Sequence, residues 1–195
     1  DFYIGGAQGQ AAGLYIQQAG KEPYFTKTNI AAFELAKLRE DVGAVFADID
    51  NDDDLDLYVV SGGSEPDKTE RVQDRLYLND GSGGFRPATD ALPEIKYNGS
   101  CVVAGDFNGD DFVDFFVGGR STPNEYGVPG ISRMLINRGD GTFADLTSAY
   151  LNNSGRIGLV TDALWLAETK ELVIVGEWMP LMIYRYDSQR PVSNY

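Results

Sequence analysis

The stretch Phe46–Val60 reads FADIDNDDDLDLYVV, and six of the nine residues from Asp48 to Asp56 are aspartates. An apolar run follows at once. Carboxylates this crowded repel one another and resist ordering unless something positive sits among them. The stretch is therefore either a solvated acidic loop or a cation site at the mouth of a buried strand.

Self-similarity along the chain separates the two readings. With a shift of 58 residues, FADIDNDDDLDLYVVSGG (46–63) falls on AGDFNGDDFVDFFVGGRS (104–121), and RLYLNDGSGGF (75–85) falls on RMLINRGDGTF (133–143). Asp48 meets Asp106, Asp56 meets Asp114, Arg75 meets Arg133, Asn79 meets Asn137 and Phe85 meets Phe143. Weaker copies flank the pair: DFYIGGAQ at the N-terminus, followed by GLYIQQAGKEPYF, and ELVIVGEW (171–178), followed by PLMIYRY. A period in the fifties points to an array of similar units, each too small to bury its own faces.

Within a unit the pattern is β. Val42–Ala47, Leu55–Val60, Arg75–Leu78 and Phe85–Thr89 are short, rich in β-branched and aromatic residues, and separated by Gly, Asp and Asn turns. Four short strands per unit predict an all-β chain, a partial β-propeller of just under four four-stranded blades. The approximate blades are 1–40 (partial), 41–98, 99–155 and 156–195 (degenerate), in a single propeller segment. Propellers usually close with four to eight blades, so the chain is expected to be completed by the remainder of a longer propeller or by self-association. The segment NIAAFELAKLRE (29–40) has the spacing of a short amphipathic helix between blades.

The acidic loops share the spacing D-x-[DN]-x-D-x-x-x-D. Asp48, Asp50, Asp52 and Asp56 supply it once, Asp106, Asn108, Asp110 and Asp114 again. Side-chain oxygens at positions 1, 3 and 5, a main-chain carbonyl at 7 and a carboxylate at 9 suit a hard cation in a tight loop. The position-7 carbonyls are those of Asp54 and Phe112. Ca²⁺ accepts 6–8 oxygens in flexible geometry, whereas Mg²⁺ demands an octahedron and keeps its waters. Two structural Ca²⁺ ions are therefore expected. An EF-hand is excluded, since position 12 holds Val59 or Val117, inside a strand, instead of a bidentate Glu.

These residues carry a resemblance. FADIDNDDDLDLYVVSGG…RLYLNDGSGGF…AGDFNGDDFVDFFVGG…RMLINRGDGTF resembles the FG-GAP/VCBS repeat family, and within it bacterial proteins related to cartilage acidic protein, in which a GEWMP-type segment such as Gly176–Pro180 recurs. The resemblance implies a β-propeller, usually seven-bladed and integrin-α-like, with calcium in the loop between the first two strands of a blade. Family loops usually carry Gly at position 6, where φ is positive. Asp53 and Asp111 stand there, in a conformation that costs a non-glycine roughly 1–2 kcal/mol. The last repeat retains only Asp162 and should hold no metal. Asp1 would be the final ligand of a site whose other residues are absent.

Composition narrows the function. The 195 residues carry a net charge of −14 and no histidine. This speaks against nucleic acid and anionic membrane surfaces as partners, and removes histidine-based catalysis and His-ligated zinc. No apolar run approaches the ~20 residues of a membrane-spanning helix. Cys101 is alone, in a strand-like setting that suggests an inert thiol. The chain begins at Asp1 with no signal-like leader, which suggests a processed protein or an excised piece of one.

The tempting motifs are weak. Arg138-Gly139-Asp140 lies in the turn formula N-x-G-D-G-T-F, which makes Arg138 a chance occupant. Asn98-Gly99-Ser100 and Asn152-Asn153-Ser154 match the common N-glycosylation triplet. Glu177 and Trp178 suit core packing at a strand end better than a sugar-binding pair. The expectation is a calcium-binding scaffold of a secreted, cell-surface or periplasmic bacterial protein that binds a protein or glycan and has no catalytic residues of its own. The alternative is the propeller segment of a carbohydrate-active enzyme such as a polysaccharide lyase.

Overall fold

The computed structural model describes residues 1–20, 22–63, 69–125, 127–187 and 190–194. They form four antiparallel sheets, each a simple meander in chain order. The first sheet has three strands, β1 (Phe2–Ile4), β2 (Gly13–Gln17) and β3 (Phe25–Thr28). The second has four: β4 (Glu40–Ala47), β5 (Asp56–Gly62), β6 (Arg75–Asn79) and β7 (Phe85–Pro87). The third has β8 (Asn98–Gly105), β9 (Asp114–Ser121), β10 (Arg133–Asn137) and β11 (Phe143–Asp145). The fourth has β12 (Leu159–Leu166), β13 (Glu171–Glu177), β14 (Met182–Asp187) and β15 (Arg190–Asn194). This all-β arrangement is consistent with a β-propeller-like fold.

The sheets stack face to face in sequence. All seven residues of β5 are buried, because both faces of the second sheet are covered. Leu57 and Val59 point toward the first sheet, where they pack with Leu14, Phe33 and Tyr77. Tyr58 and Val60 point the other way, onto Phe115, Val117 and Leu135. On β9 the alternation repeats, with Phe116 turned toward Leu172, Ile174 and Tyr184 of the fourth sheet. Period-2 side-chain direction with two buried faces explains why these strands read as unbroken apolar runs.

The first strands of successive sheets touch, β4 against β8 and β8 against β12. The approach is close: a Cβ on Gly43 would stand 3.1 Å from the Ser100 carbonyl oxygen, tighter than an ordinary van der Waals contact. Asn98 lies buried in β8 beside Ser121, so its glycosylation triplet is inaccessible. The Cys101 thiol is half-buried in the same strand, and burial pushes its pKa up, the reverse of a reactive thiolate.

The expected helix over 29–40 is cut short. Helix α1 spans Ala31–Ala36 only, and by Glu40 the chain has entered β4. Its core contact is Ala32 and Phe33, the latter edge-on to Tyr77 at 5.1 Å. Leu35 and Leu38, which completed the apolar stripe on paper, are exposed, and Ile30 caps nothing with its side chain. A second one-turn helix, α2 (Thr147–Tyr150), follows β11. Among the described residues no helix is long and apolar enough to cross a membrane.

Candidate metal centre

Each acidic loop fills the eight residues between the first and second strands of its sheet, 48–55 and 106–113. Position 2 anchors it: Ile49 and Phe107 are buried in the inter-sheet cores. Position 1 organises the turn. Asp48 accepts the N–H groups of Asp52 and Asp53 at 3.2 and 3.1 Å, and Asp106 accepts those of Asp110 and Asp111, both at 3.2 Å. Position 5 does the same on a smaller scale, Asp52 and Asp110 taking the N–H of Asp54 and Phe112 at 3.0 Å. The two loops thus share one hydrogen-bond frame despite differing at five of their eight positions.

Position 9 opens the second strand and is fully buried in both copies. Asp56 accepts Ile49 N–H at 3.1 Å and Asn79 N–H at 2.8 Å, and Asp114 accepts Phe107 N–H at 3.0 Å and Asn137 N–H at 2.8 Å. Asp1, at the head of β1, accepts the N–H of Gln17 at 2.8 Å in the corresponding way. One carboxylate therefore ties the loop to the end of the third strand, a task independent of any ion.

In the first loop one oxygen each from Asp48, Asp50 and Asp56 lies within 4.8 Å of the others. In the second, Asn108 replaces the position-3 carboxylate and donates to Asp110 at 2.7 Å. Burial, then the carboxylates of Asp52 and Asp48, raise the Asp50 pKa. Burial also raises Asp56, against its two N–H donors. Asp114 is pushed up to about 7 by burial, opposed by the Asn137 and Phe107 N–H groups and reinforced by Asp110 and Asp106. Among the described residues no salt bridge reaches these loop carboxylates. An all-oxygen donor set in so compact a loop fits a hard divalent ion.

The backbone takes the conformation expected at position 6: Asp53 and Asp111 have φ of 71° and 67°. A second left-handed position was not anticipated. Position 4 has φ of 59° at Asn51 and 82° at Gly109. The Asn/Gly pair was the available signal, since these residues enter that region most readily. Asn79 and Asn137 were also more than aligned letters. Each donates its amide to the carbonyl of position 8, Leu55 or Val113, and Asn137 reaches the Ile49 carbonyl of the preceding loop at 2.9 Å.

In the fourth sheet the loop is replaced by a four-residue turn, 167–170, and Asp162 lies within β12. Asp140 of the Arg-Gly-Asp triplet accepts the Thr142 N–H and hydroxyl, which makes it part of the β10–β11 turn. Trp178 corrects a prediction. It follows β13 with φ of 53° and is 80% exposed, so it is not core, while Glu177 pairs with Arg120 of the third sheet at 2.7 Å. The turn after β13 swings the indole outward, which alternation alone does not reveal.

The model of the FG-GAP-like repeat family matches residues 60–117. That span is one 58-residue period long, runs from β5 to β9, and encloses the whole of the second acidic loop and none of the first. The match supports the repeat family read from the sequence. Among curated proteins no match is found.

Proposed function

We propose that the chain is a calcium-stabilised segment of a β-propeller scaffold, of the kind found in secreted or cell-surface bacterial relatives of cartilage acidic protein, and that it presents a surface to a protein or glycan. The observation that carries this reading is the duplicated loop frame. Two loops of different composition place oxygen-bearing side chains at positions 1, 3, 5 and 9 around the same backbone turn. Asp48, Asp50, Asp52 and Asp56 with the Asp54 carbonyl would hold one ion. Asp106, Asn108, Asp110 and Asp114 with the Phe112 carbonyl would hold the other. A bound ion supplies charge neutralisation, and its binding energy adds to folding energy. Millimolar calcium outside cells fills even weak sites of this kind, which favours an exterior location. Further blades, from a longer chain or a second copy, would close the ring.

The test is an ion count on the chain freed of metal and dialysed against calcium. Two ions are expected, with one lost in Asp50→Ala and one in Asn108→Ala. A count unchanged by either substitution contradicts the assignment.

The exposed Trp178 favours a second reading, in which the parent protein is carbohydrate-active, because an outward indole is a surface on which a sugar ring stacks. Glycan-array binding lost in Trp178→Ala supports it. Binding retained in that variant removes it.

A further inference from the structure

Two corresponding clefts lie beside the third strands of the complete repeats. The first, of about 460 Å³, opens between α1 and β6. The second, of about 470 Å³, opens between β10 and α2. Both volumes fall in the range of small-ligand sites, 300–1,000 Å³. Each has the repeat-equivalent arginine on its wall, Arg75 or Arg133. Both arginines are already neutralised, Arg75 by Asp41 and Arg133 by Asp145.

The clefts differ by one cation. Arg39 lines the first, and the residue 58 positions on is Tyr97. Among the described residues Arg39 forms no ion pair; its guanidinium donates to the Gln73 carbonyl at 2.6 Å. Burial, then the nearby Arg75, pull its pKa down, while Tyr77 and Asp74 act more weakly in the opposite direction. In a chain of net charge −14, a half-buried guanidinium without a carboxylate partner is unusual. Asp74 does not supply that partner, because its two oxygens are turned to the Tyr58 hydroxyl and the Ser61 N–H, both at 2.8 Å.

We infer that the cleft between α1 and β6 binds a small monocarboxylate with an apolar body, its carboxylate paired with Arg39. The apolar body is called for by Leu35, Ala36, Pro87 and Leu92, which line the cleft together with the polar Gln73 and Thr89. A single negative charge is called for by Asp74 and Glu94, which share the cleft and oppose a dianion.

The test is a titration of the intact chain with benzoate and hexanoate, followed by amide chemical shifts, with inorganic phosphate and glucuronate as comparison arms. Saturable benzoate shifts confined to α1 and β6 are expected, weakened about tenfold or more in Arg39→Gln, the loss of one charge-assisted pair. Leu35 is 85% exposed at the cleft mouth, so its substitutions leave the fold intact and keep the test valid if Arg39→Gln does not fold. Leu35→Glu should weaken benzoate and Leu35→Lys tighten it. Shifts that do not saturate, phosphate or glucuronate binding as well as benzoate, equal shifts around β10, or indifference to both Leu35 substitutions would each overturn the assignment.

Discussion

The second and third sheets carry the same loop, the same strand ends and the same asparagine bracket, yet their interiors are wired differently. In the second, the Tyr58 hydroxyl and the Ser61 N–H both end on the buried carboxylate of Asp74. In the third, the equivalent residues are Phe116, Gly119 and Ser132, and the Gly119 N–H ends on the Ser132 hydroxyl at 3.0 Å. Tyrosine with aspartate has become phenylalanine with serine. Residues that answer a main-chain requirement stay put across repeats. Residues that answer only each other change together, since a buried phenol without an acceptor, or a buried carboxylate without donors, is costly.

The largest effect is expected where that constancy is strongest. Asp114→Ala strands the buried N–H groups of Phe107 and Asn137 and should cost about 3 kcal/mol of unfolding free energy in urea. The loss should persist in excess chelator, because the strand tie does not depend on an ion. Asp56→Ala should behave alike. Equal stability of wild type and Asp114→Ala in chelator would deny the tie.

The interior pair comes next. Asp74→Ser should cost about 2 kcal/mol and Tyr58→Phe about 1, each leaving one polar group unanswered. The double variant restores the combination of the third sheet and should be less damaged than the sum by about 1 kcal/mol, measured as a double-mutant cycle. Strict additivity would break the comparison.

The same pair has a pH signature that its counterpart, Phe116 with Ser132, lacks. Burial pushes the Asp74 carboxyl up to about 6, from 3.8 in the absence of structure. Between those values the native chain holds a proton that the unfolded chain has released. The stability contributed by protonated Asp74 is therefore complete below about 3.8 and is lost as pH rises to about 6. The difference in unfolding free energy between wild type and Asp74→Asn should fall across that window, by up to about 1.4 kcal/mol per pH unit. A flat difference would contradict it.

The smallest effect concerns a feature the two loops share. Asp53→Gly and Asp111→Gly relieve a left-handed aspartate and should each raise stability by about 1 kcal/mol. Melting curves check this, and destabilisation would mean that the aspartate side chains carry a role beyond the turn.

Much of this was legible in the sequence because the repeat compares the chain with itself. Asp48 over Asp106 and Asn79 over Asn137 locate loop and strand ends without reference to any other protein, and strands β4–β7 lie within two residues of where alternation puts them. Legibility failed where a position has no repeat counterpart. The helix over 29–40 was drawn from its stripe alone, and nothing in the stripe says that Leu35 and Leu38 have no neighbour to pack on. The position of Trp178 at a strand end suggests core packing, whereas a left-handed turn in the backbone decides its direction. The link from Asn137 to the Ile49 carbonyl spans 88 residues and exists only once the sheets are stacked. At the loops, residue types and spacing were readable, and the buried tie made by position 9 was not, since a ligand and a strand anchor call for the same aspartate.

The central claim is that calcium completes these two loops and holds the sheets' hairpins in place. The direct measurement is the thermal midpoint of the chain with calcium and with excess EDTA. The account predicts a higher midpoint with calcium, a gain reduced in Asp50→Ala and in Asn108→Ala and abolished when both are combined. An identical midpoint in calcium and EDTA would contradict it.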